Sequence, residues 1–273
     1  MFANTYGGTT SSGVAELPGN DFMVTLGGFD PPGGTANEQA ATFMHEMGHT
    51  LGLYHGGHQI EWSNDRRYNY KPNYRSIMNY SWQLADTRPG WALDYSRSAL
   101  PSLNEAQLDE IAGIGGALNT VVLVGPVPAR EAFEIGGVDW SRNGTIDTTL
   151  IAADANHLYP SDPASDGDVL EGSEDWSHLL YNFRSSPNYA SGSSPESTID
   201  QVEMTAELDD FIDSLYTGGC AADFNADTTL DFFDYLDFVD VFAASASNAD
   251  FNADTVVDFF DYLDFVAAFA AGC

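Results

Sequence analysis

His45, Glu46, His49 and His55 have the types and spacing to do chemistry, in the run His45-Glu46-Met47-Gly48-His49-Thr50-Leu51-Gly52-Leu53-Tyr54-His55. Residues four apart on an α-helix project from one face, so His45 and His49 can aim both imidazoles at one ion. Glu46, one position along, falls beside that ion, where its carboxylate can accept a proton from coordinated water. Gly52 tolerates positive φ and lets the chain turn sharply, which brings His55 back as a third ligand. Three neutral imidazoles suit zinc and leave its fourth position to water, whose pKa falls to about 7 there.

Certain elements must position these groups. Ala40, Ala41, Phe43, Met44, Met47, Leu51 and Leu53 surround the polar residues and predict a largely buried helix, in which such groups are costly without a shared partner. Shortly before it, Phe22-Met23-Val24-Thr25-Leu26 reads as an extended segment between glycines. Downstream, residues Leu103 to Ile114 are expected to form a helix and Val121 to Val124 a strand. His58, His157 and His178 read as solvated or structural histidines. Asp139, Ser141 and Asn143, with Gly144 at the sixth place, imitate a calcium loop. Its twelfth place is Leu150, so the bidentate acid would have to come from Asp154, Asp168 or Asp175, and a plain Asn-Gly turn is an equal alternative. Ser185 to Pro195 is a surface loop by composition.

With 273 residues and 43% hydrophobic composition, the chain can build one full core plus a smaller module. Nine basic residues against 41 acidic ones give a net charge of −32, which argues against nucleic acid or an anionic membrane as partner. No apolar window is long enough to span a bilayer. Residues Met1 to Gly8 carry no signal-peptide pattern, although two cysteines and calcium-type repeats suggest an extracellular or cell-surface setting.

Beyond Thr217-Gly218-Gly219-Cys220, residues Ala222 to Ala244 and Ala249 to Ala271 align at an offset of 27 with 19 of 23 positions identical, an internal duplication. Each copy reads as a twelve-residue calcium loop followed by a helix. Asp223, Asn225, Asp227, Thr229, Asp231 and Asp234 take the first, third, fifth, seventh, ninth and twelfth places; Asp250, Asn252, Asp254, Val256, Asp258 and Asp261 repeat them. The sixth place, usually Gly, is Thr228 and Thr255, which should weaken binding. Cys220 and Cys273 bracket the module and, if paired, would stabilise it by about 4 kcal/mol. Phe232, Leu236, Val239 and Phe242, with Phe259, Leu263, Val266 and Phe269, are expected to be mostly core. Tyr235, Phe238, Tyr262 and Phe265 fall partly off that stripe and are expected to offer a partner surface.

Two families are resembled. The first motif matches HExxHxxGxxH of the metzincin zinc endopeptidases at every defined position, and Ser76-Ile77-Met78-Asn79-Tyr80-Ser81 is similar to their Met-turn. The resemblance implies Met78 as an apolar floor beneath the histidines and Tyr80 as a metal or oxyanion partner. It also implies that the strand before the zinc helix is a sheet edge pairing with an extended substrate; an ordinary strand is an equal alternative. Lys71-Pro72-Asn73-Tyr74-Arg75 is family-like without an evident mechanism, and Gly56 after the third histidine leaves the subfamily open. Only 44 residues precede His45, fewer than the family usually has, which implies N-terminal truncation. The repeats resemble dockerin domains, which end helix-paired calcium loops with Asp at the twelfth place. The expected fold is α+β, with a metzincin-like domain over 1–120, an acidic extension over 121–217 and a small all-α dockerin-like module over 218–273. The expected function is a secreted zinc endopeptidase with catalytic Zn2+ and structural Ca2+, acting on peptide or protein substrates and joined through its module to a cohesin-like or cell-surface partner. The alternative is a calcium-dependent anchoring or binding protein whose zinc site is structural or vestigial.

Overall fold

Thr35 starts the site helix for a local reason. Its side chain accepts a hydrogen bond from the Glu38 N–H at 3.2 Å while the Glu38 carboxylate accepts the Thr35 N–H, a reciprocal cap that satisfies two otherwise unpaired donors. Helix α1 then runs Ala36–Thr50. It stops at Gly52, whose φ of +86° lies in the left-handed region. There Gly52 N–H donates to His49 O at 2.8 Å and Leu53 N–H to Gly48 O at 2.9 Å, a Schellman closure that satisfies the last carbonyls. The computed structural model describes residues 2–57, 69–85, 88, 90–118, 120–126, 128–158, 167–182, 184, 203–215, 222, 224, 232–244, 249, 251 and 256–271.

The chain divides into two compact units, Met1–Leu215 and Tyr216–Cys273. In the first, strands β1 (Gly13–Ala15) and β2 (Phe22–Val24) pair antiparallel, with Gly13 opposite Val24, and α1 packs on this hairpin. The extended segment expected at Phe22 is therefore real, but β2 is not the free edge. Phe2 bridges to Val24 on its other side. Val24, Leu26, Ala41, Leu53, Ile77, Met78 and Leu123 form the core around the hairpin and α1. Among the apolar residues expected to be covered on and just after α1, Phe43 is the exception, 41% exposed with its ring edge on Phe22 at 5.0 Å.

Helix α2 (Tyr80–Gln83) begins at Asn79, whose side chain accepts the Ser81 N–H at 3.2 Å. Strands β3 (Leu103–Asn104), β4 (Val121–Val124), β5 (Arg130–Phe133) and β6 (Val169–Leu170) follow, pairing antiparallel as β3 with β6 and β4 with β5. The strand at Val121 is as expected. The helix expected over Leu103 to Ile114 is not formed, and the side chains explain why. Asn104 accepts from the Ala106 N–H and Asp109 from those of Ile111 and Ala112, turn-forming bonds that compete with a helix. Leu108 instead bridges Ile151, and Leu103, Leu108 and Ile114 join Trp82, Val124 and Trp140 in a second core cluster. Helix α3 (Ala206–Leu215) returns Leu208 and Ile212 to the first cluster.

In the second unit, helices α4 (Phe232–Ala243) and α5 (Phe259–Ala271) are the two repeat helices. Their buried face differs in part from the expected one: Val239, Phe242, Val266 and Phe269 pack against the core as expected, but its centre is elsewhere. Phe238 and Phe265 are fully buried and stack at 3.9 Å with their planes 6° apart, and the hydroxyls of Tyr235 and Tyr262 meet at 2.9 Å. Phe232 and Phe259 are each 64% exposed, and Leu236 and Leu263 are exposed too. Both stripes have helical period, so period alone does not choose between them. Asp234 and Asp261, fully buried, set the rotation: the residue one turn beyond each acid, Phe238 or Phe265, must face inward as well. At a coarse level the described residues are α+β: helices with small two-stranded sheets. None of their helices is long and apolar enough to cross a membrane.

Candidate metal centre

Helix α1 and its glycine turn bring the three histidines to one point. Their Nε2 atoms stand 3.0 Å (His45–His49), 3.2 Å (His45–His55) and 3.1 Å (His49–His55) apart. Nitrogen ligands about 2.0–2.1 Å from a tetrahedral ion would stand roughly 3.3–3.4 Å from one another. The opposite ring nitrogens are tied down, His45 Nδ1 to Ile77 O and His49 Nδ1 to Leu53 O, both at 2.8 Å. A carbonyl can only accept, so each Nδ1 carries the hydrogen and each Nε2 presents its lone pair inward. Burial pushes His45 down and His55 down to about 3, which keeps both rings neutral, the form that ligates.

The neighbouring residues complete the enclosure. Met78 is fully buried against the helix between the two histidines; a Cβ on Gly48 would come within 2.4 Å of its Sδ, so only glycine admits it there. Tyr80, also buried, places its ring 4.2 Å from that of His55 and 6.0 Å from that of His45. Glu46 is fully buried, and neither carboxylate oxygen has a hydrogen-bond partner. Its room comes from Gly13, where an added Cβ would lie 2.2 Å from Oε1. Burial, and then the charge of Glu203, raise the Glu46 carboxyl well above its usual range.

Glu203 is the residue that sequence reasoning missed. One of its oxygens lies 3.4 Å from His45 Nε2 and 3.5 Å from His55 Nε2, and the other 3.6 Å from His49 Nε2. These four buried residues offer ligand atoms all within 4.8 Å of one another, a group that could hold a metal ion. Glu203 follows His55 by well over a hundred residues and belongs to no spaced motif, so no local signal marks it.

Lys71 gains the role that its sequence lacked. Its buried Nζ donates to Gly56 O at 2.6 Å and to the Glu171 carbonyl, fixing the peptide immediately after His55. Burial lowers its pKa to about 8, against the raising influence of Asp175 and Glu171. Asn79 fastens the same stretch, donating to Lys71 O at 2.9 Å and Tyr74 O at 2.7 Å. The Tyr74 hydroxyl donates to Asp175 at 2.9 Å.

The other expected sites are less complete. In the central loop, Asp139 accepts from Ser141 Oγ, Asn143 N–H and Gly144 N–H, and Asn143 accepts from Thr145 N–H; these side chains close their own turn. The acid facing the loop is Glu110, which accepts the N–H groups of Ser141 and Asp147, and not Asp154, Asp168 or Asp175. Asp154 caps the Asn156 and His157 amides, Asp168 donates its N–H to Glu105, and Asp175 is held by Tyr74, Ser96 and Ser173. His178 turns to Glu174 O at 2.7 Å, and His157 is half-buried apart from the cage. Of the repeat ligands, Asp234, Val256, Asp258 and Asp261 are described; Asp223, Asn225, Asp227, Thr229, Asp231, Asp250, Asn252 and Asp254 lie outside the described residues. So do His58, Ser185 to Pro195, Thr228, Thr255, Cys220 and Cys273. Asp261 accepts the N–H groups of Phe251 at 2.8 Å and Asp258 at 2.7 Å, so its carboxylate turns back over its loop. Compared with protein-family models, with curated proteins and with solved structures, the chain finds no match in any of the three.

Proposed function

We propose that the chain is a zinc-dependent endopeptidase of metzincin type, acting outside the cell or at its surface, with a calcium-binding, dockerin-like module for a cohesin-like or cell-surface partner. The observation that carries the peptidase reading is the pairing of two kinds of site: three imidazole nitrogens within 3.2 Å of one another, and beside them a buried carboxylate, Glu46, without a partner. His45, His49 and His55 would hold the ion, and an imidazole set of this spacing suits zinc. Zinc, when bound, supplies a Lewis acid that polarises the scissile carbonyl and acidifies water. Glu46 takes the proton of the attacking water on its carboxylate and later gives it to the leaving amine. Tyr80 donates from its hydroxyl to the oxygen on which charge develops, and Met78 keeps the floor of the site apolar and closed to solvent.

The test is Glu46→Gln, which removes the base and keeps its shape. Zinc content should stay at one ion per chain while casein cleavage falls by about 10²- to 10⁴-fold. Unchanged cleavage defeats the reading. A second reading, a structural ion in an anchoring protein, is favoured by Glu203, because four protein ligands close a zinc site. It leaves the unpartnered Glu46 without a purpose, and we rank it second for that reason. For the module, the inward-turned acids Asp234 and Asp261 support calcium binding, and EGTA should lower the helix content of the chain. No change on EGTA addition removes calcium from the proposal.

A further inference from the structure

Residues 203–206 lie along the stretch Thr10 to Ser12 that leads into β1. Thr205 bridges Ser11 antiparallel, Ser12 N–H donates to Met204 O at 2.6 Å and Ala206 N–H to Thr10 O at 3.3 Å. Continuing that register by two residues sets Glu203 across from Gly13, the position that houses Glu46. This is strand addition to a sheet edge, the way an extended peptide is bound, and here the peptide belongs to the chain itself. Its one acidic side chain among residues 203–206 points at the three histidine Nε2 atoms from 3.4–3.6 Å. Met204, fully buried, and Leu208 and Ile212 of α3 secure the segment in the core.

Resting on the peptidase reading above, we propose that residues 203–206 are a built-in occupant of the substrate groove and that Glu203 closes the metal's remaining position, so that this chain is a latent form. A substrate needs the same edge and the same space, and binds only when the segment withdraws. The class of ligand that competes with it is an extended peptide or a small metal-binding anion. Affinity for such a ligand is reduced by the fraction of molecules in which the groove is free.

The full chain loaded with Co2+ tests this with acetohydroxamate as the probe. Glu203→Ala should still bind one Co2+, shift the visible absorption of the ion and bind acetohydroxamate about tenfold or more tightly, as removal of a competing occupant requires. Casein cleavage should rise in parallel. Glu203→Gln, which preserves the segment's shape, should move each readout in the same direction and serves if the alanine variant fails to fold. Equal spectra and equal hydroxamate affinity in wild type and variants overturn the latch. Loss of metal from both variants overturns it too, since Glu203 would then be an obligatory ligand of a structural site. Tighter hydroxamate binding with no cleavage by any variant upholds the latch and defeats the peptidase reading.

Discussion

The histidine cage of the first unit and the helix pair of the second bury polar groups for opposite ends. In the cage, His45, His49, His55 and Glu203 converge on one point, and apolar neighbours such as Met78 hold them there. In the helix pair, Asp234 and Asp261 are buried at equivalent places of the two repeats, and Asp261 accepts from backbone amides of its own loop. A converging set asks for an ion in common, whereas an acid that accepts backbone amides also fixes its own loop and, with it, helix rotation. The difference teaches that burial of a charge identifies a site only when its neighbours share the target.

Removing one member breaks the cage side of this comparison most severely. His49→Ala should drop bound zinc from one per chain to none by atomic absorption, with a lower Tm in the metal-loaded sample, because ligand binding to the native state alone supports stability. In the helix pair, Phe238→Ala should cost about 3–5 kcal/mol on the cavity scale, seen as early loss of the module in a denaturant titration.

The pH response separates the units in a different way. Glu105, buried, has its pKa raised to about 8, first by burial. A carboxyl raised above its unfolded value stabilises the fold fully below the unfolded pKa and loses that support as pH rises through the folded one. The Tm should therefore fall between about pH 5 and 8, by the equivalent of a few kcal/mol. Glu105→Gln should flatten that slope, and an unchanged slope would assign it to Asp209, which burial also raises to about 8, together with the self-repulsion of a −32 chain.

Two smaller effects sharpen the contrast. Lys71→Met leaves α1 intact but frees the peptide after His55, and should weaken metal binding by about 10- to 100-fold in a competition titration. Phe232→Ala, beside the exposed end of α4, should change stability by less than about 0.5 kcal/mol, against the large cost at Phe238.

The cage was legible where chemistry depends on local spacing. His45 and His49 share a face because four residues make about one helical turn, and Gly52 returns His55 because only its φ is unrestricted. Glu203 was not legible, since its place depends on a strand addition between residues far apart in the chain. The segment from Leu103 misled for a reason of competition: its helical period is outweighed by the side-chain turns of Asn104 and Asp109. In the repeats, the duplication was plain, but two apolar stripes of equal period concealed that Phe238 and Phe265 form the centre of the core. That choice rests on Asp234 and Asp261, whose burial at the start of each helix turns the residue one turn on inward.

Gly13 carries one last implication. Its missing methyl is the space in which the Glu46 carboxylate sits, so alanine, the smallest chemical step open to that position, would intrude both on the proton acceptor, 2.2 Å away, and on Met23 O of the paired strand, 2.7 Å away. The most exacting steric demand in the centre thus falls on a residue with nothing to contribute but its absence, and drift there would disturb the base and the strand pairing together.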